Sequence, residues 1–462
     1  MKFTIFFFAL LTGQIGISGQ KLSKKDVEDD LAYLYHSLQE AHYNLYAYKN
    51  KSSYDSLYQS LKSEIKDSMS MLETISTYQN LVSFADTGHC EIDFPAGSYI
   101  EYAKTGGTVF PIELAFENKK TFIRKNFSTN HQVGNGDQLI SIDGIPIDDV
   151  LKEISPLISA ERLYFKHSKI EFWSFPRLWF QKYGEKESWN LKIQTKNNLI
   201  INTQVRAITV MEYEEKRNGE IVDPKKSLKF YKNTAYLNPG SLSSPTSDQL
   251  NLFKKYIDSS FEKIKEKQSF NLIIDLRNNP GGDNDCSDYL ISYFAKKPFK
   301  WYSKFSVKTS KILKEHTRKV TDTTNSFSQT ILNGRDGDIL PIEFPFYVPV
   351  QKSKKFRGKV FILINRQTYS MAAVSAALIQ DYKFGTLVGE ETGDTPTLYA
   401  SQFSFHLPKT KIEVKIPKGY IIRPNGSTLL KGTVPNILIY DHLLDEKDEI
   451  LNELLLKLKE SI

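Results

Sequence analysis

Two stretches of this chain constrain its fold more than any others: "FNLIIDLRNNPGGDNDCSDYLISYFA" and "GKVFILINRQTYSMAAVSAALIQDY". Each opens on an uninterrupted apolar run, Leu272–Ile274 in one and Val360–Ile364 in the other. Each then crosses a polar turn and enters a helix-permissive segment. A strand that is apolar at consecutive positions has no solvated face, so both of its faces must be covered, as in a sheet packed between helices. "KNTAYLNPGSL", "SDQLNLFKKYIDSSFEKIKEK" and "FGTLVGEET" continue the strand and helix alternation, and "DEKDEILNELLLKLKESI" closes it with an acidic-started amphipathic helix. The expected class is α/β within a multidomain chain.

At 462 residues the chain is too long for one ordinary core. The expected divisions are 20–97, helical; 98–207, β-rich; and 208–462, the alternating part. The helical region starts at Ser23, a candidate cap, with apolar residues at Val27, Leu31, Leu34 and Leu38. The β-rich region holds "GGTVFPIELAF", "KTFIRK" and "DQLISIDGIPI", with a tight turn expected at Asp143–Gly144. Residues 1–19 read as a secretory signal peptide, cut near Gly19–Gln20: Lys2, a mostly apolar run, then small residues. That run is short for a bilayer span. The expectation is an exported protein, periplasmic, cell-surface or secreted, without stable membrane insertion.

The net charge of +7 is spread over mixed-sign segments such as "KKYIDSSFEKIKEKQ", which read as solvated helix faces and not as a nucleic-acid surface. The chain has two cysteines, Cys90 and Cys286, enough for one disulfide or for two separate thiols and too few for a zinc pattern. No metal or cofactor is expected.

Ser370 lies where the apolar strand and its turn give way to a helix. A serine there is either a helix cap or a nucleophile set against free N–H groups and the positive end of the helix dipole. Gly281 and Gly282 end the other strand. Glycine lets a backbone approach a substrate closely, so one of them, with Met371 N–H, is a candidate oxyanion hole; an ordinary strand-to-helix loop also favours glycine. Asp275 and Arg277 are expected to brace this turn.

In their order, "DLRNNPGG", "TYSMAA" and "LVGEETGD" resemble the S41 serine peptidases, the family of the C-terminal processing peptidases and the tricorn core. "VGNGDQLISIDGIPIDDVLKEI" is similar to the end of a PDZ domain. The resemblance implies a ClpP/crotonase-like α/β core with a PDZ-like region that captures peptide ends, acting on a peptide or unfolded protein without a cofactor. The processing branch uses a lysine where this chain has Asp394 or Thr395. The tricorn-like branch takes a histidine from the N-terminal region; in "FADTGHCEIDF" that is His89, which would act as base to Ser370. His406 and His442 are the alternatives. The glutamate that serves the tricorn-like constellation aligns with Leu429, and its aspartate with Asn436. Asp86 or Glu91 would then have to orient the imidazole. The function implied is an exported serine endopeptidase. The alternative is a weakly active or inactive peptide-binding relative, and acyl-CoA chemistry on the same core is a remote third. Oligomeric state is not readable.

Overall fold

A computed structural model describes residues 21–218, 225–320 and 322–460. The expected signal peptide lies outside the described residues. Among them, no helix is long and apolar enough to cross a membrane.

Three helices come first: α1 (Lys24–Ala41), α2 (Lys51–Ser63) and α3 (Met71–Ser83). Ser23 caps α1, its side chain accepting from Asp26 N–H, and Ser70 with Glu73 forms a reciprocal capping box on α3. The apolar stripe read from the sequence is the buried face of α1: Val27, Leu31, Leu34 and Leu38 are fully buried. They do not form a core of their own. They share one with the strands and helices of residues 235–421.

The alternating half builds a six-stranded sheet in chain order: β1 (Ser227–Tyr231), β2 (Thr234–Asn238), β3 (Asn271–Asp275), β4 (Lys359–Ile364), β5 (Thr386–Gly389) and β6 (Ile437–Leu438). β1 is antiparallel to β2, and every later pair is parallel. The unbroken apolar runs are explained by their two covered faces. Leu272, Ile274, Ile362 and Ile364 face the core shared with the N-terminal helices, and Ile273, Phe361 and Leu363 face Ile450, Leu454 and Leu458 of the C-terminal helix.

One element escaped the sequence reading. Ile339–Pro341, Lys304–Lys308, Glu413–Ile422 and Leu398–His406 form a separate antiparallel sheet, in that order. It lies against the N-terminal helices, where buried Asp30 of α1 accepts from Lys409 N–H and Thr410 N–H.

The middle region is a second unit with its own core, centred on Phe110, Trp179 and Trp189. Its sheet carries Ile112–Glu117, Lys120–Asn126, Gln138–Ile142, Ser188–Gln194 and Ile200–Arg206 in order, with Ile145–Pro146 folded back on Gln138–Ile142. Asp143 and Gly144 both have positive φ, 50° and 80°, as a two-residue hairpin turn requires. The region is less purely β than its sequence suggests: helices Ile147–Ile154, α4 (Leu163–Trp173) and Phe175–Tyr183 pack on the sheet. The entering and leaving chains are clasped where Thr108–Val109 pairs with Ile208–Thr209.

Candidate active site

The turn between β4 and the helix Met371–Asp381 (α5) is fixed from the neighbouring turn after β3. Asn365 Oδ1 accepts from Asn278 N–H, Asn365 Nδ2 donates to Asn278 Oδ1, and Thr368 Oγ1 donates to Leu276 O. Tyr369 N–H reaches Asn279 O at 2.9 Å. The constraint leaves Ser370 at φ 52° and ψ −127°, a conformation that a residue with a Cβ rarely holds. Ser370 stands at the N-cap position of α5, yet its side chain makes no capping hydrogen bond. Its Oγ lies 3.2 Å from His89 Nε2 instead.

His89 arrives on the loop that follows α3. Its ring stacks on Tyr369 with centroids 5.0 Å apart, and its backbone O accepts from Gln402 Nε2. Burial, reinforced by the Lys169 ammonium, pushes the imidazole down to about 3, so it is neutral across the ordinary pH range. Nδ1 is buried without a hydrogen-bond partner. Neither carboxylate proposed to orient it does so. Asp86 pairs with Lys49 at 2.9 Å and Lys166 at 3.3 Å, and Glu91 accepts from Gln402 Nε2. The segment geometry explains this: Asp86 has φ 46°, and Glu91 begins a bridge to Lys415.

The remaining sequence candidates fall elsewhere. His406 ends its strand in an exposed position, and His442 Nε2 faces Glu449 at 3.1 Å. Leu429 is exposed, and Asn436 Oδ1 accepts from Leu387 N–H at the sheet edge. Cys90 and Cys286 are both buried and unbridged, and Cys286 Sγ donates to Ser244 Oγ. Asp275 accepts from the Arg277 N–H and from its guanidinium, and Arg277 reaches across to Asp448; the glycines themselves are held by Asn279 and Leu242.

The two glycines are not equivalent. Gly281 N–H is engaged by Asn279 Oδ1 at 3.0 Å. Gly282 bridges Leu242 in parallel register, with the flanking atoms Gly281 O and Asp283 N–H making the bonds. A residue so flanked turns its own N–H away from the partner strand. Gly282 N–H and Met371 N–H, the latter in the first turn of α5 with no intrahelical acceptor, are therefore left without a backbone acceptor. Gly281 supplies room: at φ +85°, a methyl group on it would lie 2.7 Å from Met371 N and 2.8 Å from Ser370 Cβ. Gly281→Ala is expected to lower the rate at which a fluorophosphonate labels Ser370 by roughly 100-fold or more; labelling at the wild-type rate would show that the close approach is irrelevant to the serine.

Four charged residues near the serine were not legible as partners. Asp394, at the position of the processing-branch lysine, accepts from Ser370 N–H and from Thr395 N–H, both at 2.8 Å. Burial, then the nearby Glu161 carboxylate, pushes Asp394 up to about 8. Glu161 and Lys169 belong to the second unit and lie against Gly88. Buried Arg366 holds three carboxylates, Glu117 at 2.7 Å, Glu171 at 2.8 Å and Glu390 at 3.0 Å. Among the described residues, one group brings metal-type ligand atoms within 4.8 Å of one another, His442, Asp445 and Glu449, in the loop before the C-terminal helix and at its start.

Residues 235–439 match peptidase family S41. A tail-specific protease of Haemophilus influenzae is 30% identical over 102 residues, which is 21% of this chain and 14% of that protein's length. Among solved structures, mature CPAF superposes with a TM-score of 0.63 at 15% identity, covering 95% of this chain and 97% of that one. Mature CPAF complexed with lactacystin gives 0.62 at 15% identity, covering 95% and 98%. At that identity the likeness is one of fold.

Proposed function

We propose that this chain, which carries a family S41 peptidase domain over residues 235–439, is a serine-type endopeptidase acting through an acyl-enzyme on Ser370. The observation that carries the reading is the 3.2 Å approach of a buried, neutral histidine to an uncapped serine held at the start of a helix. His89 Nε2 takes the Ser370 proton as Oγ attacks a peptide carbonyl, and returns it to the leaving amine. Gly282 and Met371 N–H groups face the oxyanion. Water then repeats the sequence to release the acyl group. The PDZ-like reading of the second unit, and its capture of peptide ends, are part of the proposal and rest on the "GDQLISIDG" segment. So is export, which rests on the leader-like N-terminus.

The test is hydrolysis of unfolded casein together with fluorophosphonate labelling located by peptide mass. Cleavage with labelling at Ser370 supports the peptidase. A folded protein that does neither favours the second reading, a peptide-binding relative, which the unpartnered His89 Nδ1 and the exposed Leu429 support.

The pH profile follows from the site. Lys169 acts directly on His89 and Tyr369 stacks on its ring, while Glu91, Asp394, Glu161 and Asp93 face Tyr369 in turn. With the imidazole held down to about 3, labelling should persist well below the usual histidine midpoint and fall only on approaching that value. The linked stability term runs the same way. The unfolded chain binds a proton below its ordinary histidine pKa and the folded one refuses it, so this contribution is complete above that pKa and declines as pH falls beneath it. An acid limb at the ordinary histidine value would contradict the burial.

A further inference from the structure

The peptidase reading leaves one mechanical question. An imidazole with nothing on Nδ1 lacks the hydrogen bond by which a carboxylate normally aims the ring at its serine. Here the constraint acts on the backbone one residue earlier. Gly88 N–H donates to Glu161 Oε1 at 2.8 Å. Gly88 O accepts from Lys169 Nζ at 3.1 Å and from Tyr369 Oη at 3.1 Å. Both polar atoms of the residue that precedes the base are thus gripped by side chains. The fit is close: a Cβ on Gly88 would lie 3.0 Å from Glu161 Oε2 and from the Phe165 ring.

The gripping side chains are themselves fixed. Lys169 is buried, donates also to Ser159 O at 2.8 Å, and lies over the Phe165 and Tyr369 rings at 4.8 and 5.1 Å. Glu161 Oε2 is buried without a partner, a carboxyl kept at this position although half of its bonding capacity is unused. Beside it, Arg162 donates to Thr392 O at 2.9 Å and Gly393 O at 2.8 Å. Those residues lead into Asp394, which accepts from Ser370 N–H. One short segment of the second unit, residues 161–169, therefore braces the loop of the base and the loop that holds the nucleophile.

We propose, resting on the peptidase reading, that Glu161 and Lys169 are positioning residues for His89: with Tyr369 they clamp the Gly88 peptide, and this takes the place of a carboxylate on Nδ1. The second unit is then a working part of the catalytic centre, whatever else it binds.

The experiment measures fluorophosphonate labelling at Ser370 and kcat and KM on a peptide substrate, from pH 3 to 9, for the full chain and its variants. Glu161→Ala is expected to lower labelling and kcat by roughly 10- to 100-fold, with KM little changed. Glu161→Gln keeps the acceptor for Gly88 N–H and should recover most of that rate. Lys169→Met should lower kcat similarly and move the acid limb of labelling upward, because removing the cation beside the imidazole makes its protonation easier. Should Glu161→Ala or Lys169→Met fail to fold, Tyr369→Phe, which deletes only the bond to Gly88 O and keeps the ring stack, carries the test as a loss in kcat at unchanged KM. Folded Glu161→Ala and Lys169→Met proteins labelling at the wild-type rate would overturn the inference. So would Glu161→Gln falling as low as Glu161→Ala, or an acid limb unmoved in Lys169→Met. Wild-type protein that does not label at all would instead sink the peptidase reading, and the wild-type sample alone tells the two failures apart.

Discussion

Ser370→Ala and His89→Ala are each expected to lower hydrolysis of an unfolded protein by about 10⁴-fold or more, and the double variant to be no worse than either single one. The reasoning is that the two act as one unit. A serine hydroxyl at neutral pH is a poor nucleophile until a base takes its proton during attack. His89 Nε2, 3.2 Å from Oγ, is the imidazole placed to do so. With either partner gone, the other performs no step, so the second deletion costs nothing further. What survives is whatever the oxyanion donors and substrate binding supply. Fluorophosphonate labelling separates the roles: Ser370→Ala cannot be labelled, and His89→Ala is labelled slowly. Ser370→Ala should melt near wild type, whereas His89→Ala empties a buried site stacked on Tyr369 and should lower the melting temperature, so its rate is measured well below that transition. Independent, multiplying losses would show that the serine has another base.

The largest loss of stability should come from Arg366→Met. Arg366 is 5% exposed and bonds Glu171, Glu390 and Glu117 together. Methionine fills much of the volume and leaves three carboxylates facing one another in a buried place. Breaking such a network from one side costs about 3–5 kcal/mol, because the uncompensated charges stay behind. The cost should depend on pH with a definite sign. Burial already pushes Glu390 up to about 7, and burial likewise raises Glu117. Without the guanidinium both rise further, so acid protonates them readily and relieves the repulsion. Urea midpoints should show the deficit of the variant largest near pH 8 and smaller near pH 5. A deficit under about 1 kcal/mol at both values would show that these acids are not held apart by Arg366. Activity should fall less than stability, since the backbone O at 366, which accepts from Ser168 Oγ and Gly393 N–H and anchors the nucleophile turn, is kept in the variant.

What could be read from the sequence follows the range of the forces involved. The strands β3 and β4 and the helix after Ser370 were legible because continuous apolar runs and turn residues act locally. The Asp143–Gly144 turn was legible for the same reason. His89 was reached only through a family resemblance, since nothing near "TGHC" distinguishes a base from a buried histidine. Glu161 and Lys169 lie in a segment, "SAERLYFKHSKIEFW", inside the stretch expected to be β-rich, and their partners, Gly88 and the Ser370 loop, lie far away in the chain. Asp394 was read only as a missing lysine, because a carboxylate bonded to a backbone N–H has no local signature. The sheet containing Leu398–His406 escaped for a related reason: its strands are half-buried and interrupted by polar residues, and they are joined by contacts of long range.

His89 and Ser370 are separated by 281 residues of chain. A ribosome therefore releases the base long before the nucleophile exists, and closing so long a loop is a late event in folding. On the proposed peptidase reading, that separation is a safeguard during biosynthesis. A nascent or truncated chain ending short of Ser370 carries no hydrolytic centre, and a complete chain gains one only after β3 and β4 have aligned. On the proposed reading, an unfolded copy of the protein therefore carries no hydrolytic centre of its own with which to attack itself.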